Sequence, residues 1–493
     1  MSKVSGEGVL AWMDQARAAL ELPSSPANVD LFDALLSPIY SAVLAAARGE
    51  MTESTSWKDE IKRQLFELRR ELRIAQDARG ATSTPIDVLF VPRTKSHVDQ
   101  QLPVANALVR TGATVAFHSP TRAIRARIKT AGMTVAFAPW DRWGGGVITQ
   151  LAGSIRALRP SKNSARLKIP APGVEGSQVD GRALLAITLQ EIRAQSPIVF
   201  TVAATIRALL RSLRPRVVVV GNDLTTEGRT TCLVARAQGT PTVCIAHGLG
   251  VANPRLARTL ADRVLVYGSL QQDALRSYGL GEDRVVITGA PYLDEIPAQG
   301  GTLDPAIANA LGLDDRPYVL VATSGAGQKV SLDHHRAMIR AFDQAARALP
   351  ELQFVAKLHP KDRRDLYPEP SSLKVIDRSQ IGDLPKSIFS WLQGAHAVVT
   401  SGSAVAMEAM LLEVPVVTMD LANELGHVDF ITAGATHHAT SEAALIDTLR
   451  SLKGGAARQG PGAEDYLQAK FFRAPPETAS ERAAAAILDA AVA

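Results

Sequence analysis

Short apolar runs separated by helix-length segments dominate this chain from Ile86 onward. One series comprises Ile86–Val91, Thr114–His118, Thr134–Ala138, Val217–Gly221, Thr242–Ala246, Arg263–Tyr267 and Arg284–Thr288. A second comprises Tyr318–Ala322, Gln353–Leu358, Leu373–Ile376, Ala397–Thr400 and Val414–Met419. Runs that are apolar throughout, rather than alternating with polar residues, are buried on both faces of a sheet. Helices between them return each strand parallel to the last. The pattern predicts an α/β protein with two doubly wound, Rossmann-like parallel sheets, and helices at about Val98–Thr111, Ala183–Leu213, Leu332–Ala348 and Pro385–Gln393.

The length of 493 residues and a hydrophobic content of 46% support more than one core. Residues 1–82 read as a helical extension and 83–300 as the first Rossmann-like domain. A linker follows at Pro297–Asp315, then a second Rossmann-like domain at 301–478 and a helix at 479–493 that crosses back to the first domain. Two such domains are expected to face each other across a cleft, with ligands beyond the carboxyl ends of the strands. Within Trp57–Ala75 the apolar residues Trp57, Ile61, Leu65, Leu68, Leu72 and Ala75 form one helical stripe opposite dense Lys and Arg. Residues 57–76 thus suit packing on the body of the protein, homodimerisation or peripheral contact with a membrane. Gly144 to Gly181 reads as loop and short helix.

Charge and cysteine usage narrow the function classes. A formal net charge of +5, dispersed along the chain, fits an anionic ligand but not a nucleic-acid interface. The two cysteines, Cys232 and Cys244, form no metal-type spacing and read as buried apolar residues in a reducing compartment. The adjacent pairs His334–His335 and His437–His438 would diverge by about 100° on a helix, so neither chelates a metal as a pair. No metal and no cofactor is expected. No apolar run reaches the roughly 20 residues that span a bilayer, and the amino terminus lacks a signal-type apolar region. The expected location is cytoplasmic, with contact at the inner face of a membrane as the variant.

Polar clusters follow the strands. Asn222, Asp223, Glu227, Gly228 and Arg229 come after Val217–Gly221; His247–Gly248 after Thr242–Ala246; Gly289, Pro291, Tyr292 and Asp294 after Arg284–Thr288. In the second series, Ser324 to Gly327 follow Tyr318–Ala322, and Lys357 and His359–Pro360 end Gln353–Leu358. Ser401–Gly402–Ser403 follow Ala397–Thr400, with Glu408 in the next helix. A strand, a small-residue turn and a helix together direct backbone N–H groups at a phosphate above the strand. Taken singly, Asp223 suits a helix cap, Glu227 a surface acid, His247 a core histidine and Arg229 a salt bridge equally well.

The set AHGLG (Ala246–Gly250), TGAPYLDEI (Thr288–Ile296), KLHP (Lys357–Pro360) and TSGSAVAMEAMLLEVPVV (Thr400–Val417) resembles the GT-B glycosyltransferase superfamily. Within it, the set is similar to the bacterial Kdo and sialic acid transferases of capsule and surface-polysaccharide synthesis, and to CDP-glycerol glycerophosphotransferases. The likeness spans roughly residues 215–420. It implies that His359, Pro360, Ser401, Gly402 and Ser403 hold a donor phosphate, aided by Lys357, Ser324 and Gly325, and that Glu408 takes the ribose. It implies a catalytic base at Glu227 or Asp223, with His247 as a further candidate, and phosphate or acceptor contacts at Arg229, Gly289 and Tyr292. Thr226–Glu227–Gly228 departs at its first position from the acidic-acidic-Gly motif of the sialyltransferases, so the choice between Glu227 and Asp223 stays open.

The leading reading is therefore an inverting glycosyltransferase. It would move a sugar from a nucleotide donor, a CMP-activated acidic sugar before a UDP-sugar, to a hydroxyl of a glycan, glycolipid or glycoprotein acceptor. Acceptor recognition would fall to Arg93–Gln101 and Trp140–Gly146. Three alternatives stand beside it: glycerophosphate transfer from CDP-glycerol, a UDP-N-acetylglucosamine 2-epimerase, and a scaffold without catalysis. Against the epimerase, its usual Ser-Gly-Gly and paired glutamates appear here as Ser401–Gly402–Ser403 with Glu408 alone.

Overall fold

The computed structural model describes residues 6–19, 29–47, 84–138, 181–246, 254–294, 296, 301–322, 331–359, 362–377, 380, 387–426, 428–453 and 459–492. Two compact units emerge: Met1–Asp294 with Phe472–Ala493, and Glu295–Phe471. Each is built on a six-stranded, wholly parallel sheet, as the uninterrupted apolar runs require.

The first sheet holds β1 (Val88–Val91), β2 (Val115–Phe117), β3 (Val217–Val220), β4 (Thr242–Ile245), β5 (Arg263–Val266) and β6 (Val285–Ile287) in the order β2-β1-β3-β4-β5-β6. Side chains alternate along each strand and feed two cores. Leu89, Val91 and Val218 face one, and Val88, Phe90, Val217 and Val219 the other. The first core is closed by the helix Gly181–Leu213, through Leu184, Ile192, Val199, Ile206 and Leu209, and by the amino-terminal helices, through Trp12, Met13, Phe32, Leu35 and Ile39. The long helix is bent by 42° beside Pro197, which has no N–H to give to the ladder. The described part of the amino-terminal segment is thus integral to this unit. The apolar stripe at 57–76 and the loop Trp140–Gly146 lie outside the described residues.

The second core takes Ala483, Ala484, Ile487 and Ala490 from the last helix, Ala479–Ala490. Thr478 and Glu481 close its amino end as a reciprocal capping box, and Asp294 accepts the N–H groups of Ala479 and Ser480 at 2.9 and 2.7 Å. Among the described residues no single helix is long and apolar enough to cross a membrane.

The second sheet holds β7 (Tyr318–Ala322), β8 (Gln353–Lys357), β9 (Lys374–Ile376), β10 (Ala397–Thr400), β11 (Val416–Met419) and β12 (His437–Ala439) in the order β12-β11-β10-β7-β8-β9. Three sequence expectations change. The second sheet gains a sixth strand, β12, so His437 and His438 lie on a strand and not on a helix. Thr134–Ala138 contributes only an isolated parallel bridge, Phe117 to Val135, at the edge beside β2. The expected linker Pro297–Asp315 contains a helix, Pro305–Leu311, with Asp304 as N-cap, Pro305 in its first turn and Gly312 in the left-handed conformation (φ 56°) after its end.

Candidate functional site

In a doubly wound sheet, neighbouring strands whose connections leave in opposite directions open a crevice at their carboxyl ends. In the second unit that switch lies between β7 and β10. β10 ends on buried Thr400 and Ser401, and Gly402 then takes φ 84°, a left-handed conformation that favours glycine. The turn closes locally: Ser403 N–H donates to Thr400 Oγ1 at 3.2 Å, and Val405 N–H to Ser403 Oγ at 3.4 Å. The helix that follows, Val405–Leu411, has only seven residues and Ala404 at its cap position, without a side-chain cap. Its macrodipole is correspondingly small, so any anion held here relies on the turn's own polar groups. Glu408 sits among buried Ala406, Met407, Ala409 and Met410, and burial pushes its carboxyl up to about 7.

β8 lies beside β7 and delivers Lys357 and His359 to the same edge. Lys357 Nζ rests 5.5 Å over the Trp391 ring, and burial lowers its pKa. The carbonyl of His359 accepts the Asp362 N–H at 2.8 Å. The Asp362 carboxylate pairs with His335 Nε2 at 3.0 Å and accepts the Tyr367 hydroxyl at 2.9 Å. On the other flank, after β11, Asp420 accepts the N–H groups of Glu424 and Leu425 at 2.8 and 2.9 Å. His334 Nε2 accepts the Leu421 N–H at 2.9 Å, so the ring proton resides on Nδ1, which is 3.3 Å from Glu424 Oε2. The Ser331 N–H and hydroxyl, at 2.7 and 2.9 Å, hold Glu424 below the usual carboxylate range. Ser324, Gly325 and Pro360 lie outside the described residues.

In the first unit the switch falls between β1 and β3, and it brings together Arg93 and Glu227 as an ion pair of 2.9 Å. Thr225 caps the helix Thr226–Ala237 by accepting the Gly228 N–H at 3.1 Å. A Cβ on Gly228 would collide with the Asn222 carbonyl oxygen, which explains a glycine next to Glu227. The neighbours expected to act with Glu227 serve the scaffold instead. Asp223 is buried and accepts the N–H groups of Leu260 and Ala261 at 2.7 and 2.9 Å. Arg229 is buried and donates to the carbonyls of Asp33 and Arg258, the latter at 2.7 Å, tying the amino-terminal helices to the sheet. These contacts engage Asp223 Oδ2 and the Nε and Nη1 of Arg229 with backbone groups of the first unit. Gly289 (φ 84°) lies where a Cβ would meet the Phe472 carbonyl at 2.6 Å, and the Tyr292 ring packs at 6.1 Å from Tyr267. Gly289 therefore marks the return of the carboxyl-terminal segment, while Tyr292 packs within the first unit. His247 lies outside the described residues.

His118 escaped the sequence reading, although it directly follows β2 as the other polar clusters follow their strands. It is fully enclosed, with Nδ1 3.2 Å from the Ala136 carbonyl, and burial drives its pKa down to about 4. A neutral buried histidine contributes stability that is complete above pH 6.5 and is lost as pH falls through about 4. The stabilisation at stake is about 3 kcal/mol. His118→Asn, which keeps a donor near Nδ1, is expected to lose less stability than the parent between pH 7 and 4.5 in thermal denaturation. Equal losses would remove His118 as the cause.

The family comparison decides what this arrangement belongs to. The model of the UDP-N-acetylglucosamine 2-epimerase family matches residues 187–453, more than half of the chain. The chain is a member of the UDP-N-acetylglucosamine 2-epimerase family. Solved structures agree on the fold. A Listeria monocytogenes protein described as a UDP-N-acetylglucosamine 2-epimerase is 16% identical, with 83% of this chain and 96% of that chain covered and a TM-score of 0.53. The UDP-GlcNAc 2-epimerase from Methanocaldococcus jannaschii is 12% identical, with 82% and 100% covered and a TM-score of 0.51. Among curated proteins, none matches the chain.

Membership in this epimerase family keeps the GT-B-like fold and corrects the activity. The expectation of a glycosyltransferase using a CMP-activated sugar is overturned by the family match, which runs through both sheets and includes Glu227, His359 and Ser401 to Glu408. The physical reason for the error is that a strand, a small-residue turn and a helix suit a phosphate whatever happens to the sugar attached to it. Ser-Gly-Ser followed by one glutamate therefore does not separate a transferase from an epimerase. The single Glu408, read as an argument against the epimerases, does not exclude the chain from their family.

Proposed function

We propose that this protein inverts the configuration at C2 of a UDP-activated 2-acetamido sugar, without an acceptor. The observation that carries the reading is the position of Ser401–Ser403 and the semi-buried Glu408 at the switch point of the second sheet, inside the span that matches the epimerase family. In the proposal Ser401, Gly402 and Ser403 contact the diphosphate, His359 and Lys357 support it, and Glu408 accepts the ribose hydroxyls as a carboxylate.

The substrate's chemistry explains why a firm hold on the nucleotide is needed. C2 of such a sugar has no neighbouring carbonyl, so its hydrogen is not acidic. Departure of UDP from C1 with its bonding electron pair, together with loss of the C2 proton, gives a C1–C2 double bond. Return of UDP to C1, with a proton delivered to the opposite face of C2, gives the epimer, and atoms and electrons balance without redox chemistry or water. The departed UDP must stay bound meanwhile.

The test is incubation of the protein with UDP-N-acetylglucosamine alone in D2O, followed by proton NMR. Expected are the C2 epimer and deuterium at C2 in both sugars. Unchanged UDP-N-acetylglucosamine, with no deuterium at C2, would overturn the proposal.

A further inference from the structure

Two adjacent histidines that the nucleotide reading leaves unused hold the loops on either side of the β7–β10 switch. We infer that His334 and His335 are positioning residues for the nucleotide phosphate. This inference rests on the proposed UDP site.

Both histidines lie in the first turn of the helix Leu332–Ala348, which follows β7, and both side chains are almost wholly enclosed. Successive residues on a helix diverge by about 100°, so neighbours reach in different directions. The same divergence that rules out chelation lets one helical turn engage two loops. His335 Nε2 meets Asp362 Oδ1 at 3.0 Å; Asp362 is fixed from its other oxygen by the Tyr367 hydroxyl at 2.9 Å. The Asp362 N–H in turn holds the His359 carbonyl at 2.8 Å, which places the His359 peptide at the end of β8. His334 works on the opposite flank. It accepts the Leu421 N–H at 2.9 Å, and Asp420 closes the same turn on Glu424 and Leu425. Leu425 and Val428 then pack against Gly402, each with a methyl carbon 3.4 Å from where a Cβ would stand.

One branch therefore ends on His359 and the other on Gly402, two residues assigned to the phosphate. Neither histidine need touch the nucleotide. A buried acceptor facing a backbone N–H, and a buried imidazole facing a carboxylate, are strongly directional, and replacing either partner by an apolar group leaves the other unsatisfied. Each histidine should therefore show up as nucleotide affinity.

The experiment is isothermal titration of UDP into the parent, His334→Leu, His335→Leu, His334→Gln and His335→Gln, with thermal denaturation of each in parallel. Glutamine keeps an amide oxygen where His334 accepts and an amide N–H where His335 faces Asp362. The leucine variants are expected to bind UDP at least about tenfold more weakly, and the glutamine variants to recover to within about threefold of the parent. A purely structural histidine would not show that recovery in affinity. Should a leucine variant fail to fold, Tyr367→Phe removes only the hydroxyl that fixes Asp362, and a loss of about two- to fivefold is expected. If the parent binds UDP and the leucine variants, or Tyr367→Phe in their place, bind it equally well, the positioning role is wrong while the UDP site stands. If the parent itself does not bind UDP, the nucleotide reading fails first.

Discussion

Glu408→Gln is expected to weaken UDP binding by about 30-fold, the loss of hydrogen bonds to a charged acceptor. It is also expected to stabilise the nucleotide-free protein above neutral pH. The two effects have one cause. Burial raises the Glu408 carboxyl to about 7, so the folded protein prefers it protonated. The sign for stability follows: the contribution of a raised carboxyl is complete below 4.5, its ordinary value, and is lost as pH rises through about 7. An amide mimics the protonated form at every pH. The variant should gain up to about 3 kcal/mol at alkaline pH and little near pH 4.

Binding has the opposite preference in the proposed site, because a carboxylate accepts from two ribose hydroxyls more strongly than a carboxylic acid, one oxygen of which carries a proton. Affinity of the parent should climb with pH and level off above about 7. The terminal phosphate of UDP titrates nearby, so the telling quantity is the slope of the parent minus that of the variant. Titration calorimetry at several pH values with matched melting curves measures both. A variant that binds UDP like the parent, or that shows the same pH slope, would remove Glu408 from the site. Stability given up at a ligand-binding carboxylate is a common feature of functional sites.

Gly228→Ala is expected to destabilise the first unit by about 2–4 kcal/mol, although alanine is the better helix former. Gly228 sits in the first turn of Thr226–Ala237, and a methyl group there would run into the Asn222 carbonyl oxygen, a backbone atom that cannot rotate away. Relief requires the helix end to lift from β3, and Glu227 is then carried away from Arg93. Gly112 supplies the control. It has φ 87°, but a Cβ there would meet nothing within 4 Å, so Gly112→Ala should lose only about 1 kcal/mol from the unfavourable backbone conformation. Urea denaturation of both variants tests the distinction. Equal losses would mean that the Asn222 contact yields easily and that Gly228 is not needed for Glu227.

The strands were legible because parallel strands buried on both faces must be apolar throughout, and Val217–Val220 or Val416–Met419 can hardly be anything else. Helix Pro305–Leu311 was also legible, through Asp304, Pro305 and Gly312, but alanine and glycine around it read as a linker. The polar clusters were found by one rule, that chemistry follows strand ends. That rule delivers position and not role. Asp223 and Glu227 stand four residues apart after the same strand, yet one carboxylate is consumed by the amides of Leu260 and Ala261 and the other faces Arg93. The partners of Asp223 lie more than thirty residues away in the chain, which is why no local pattern separates the two. His334 and His335 were read only as an unsuitable metal pair, because their partners, Leu421 and Asp362, arrive from loops on opposite sides of β7.

By itself, then, the amino-acid order determined the two parallel sheets and the strand-end addresses of the polar residues, since both follow from periodicity and from where apolar runs stop. Only the tertiary structure decided which of those residues the scaffold engages. Hydrogen bonds at these loops join segments distant in the chain, and the protonation of Glu408 and His118 is set by burial that only packing creates.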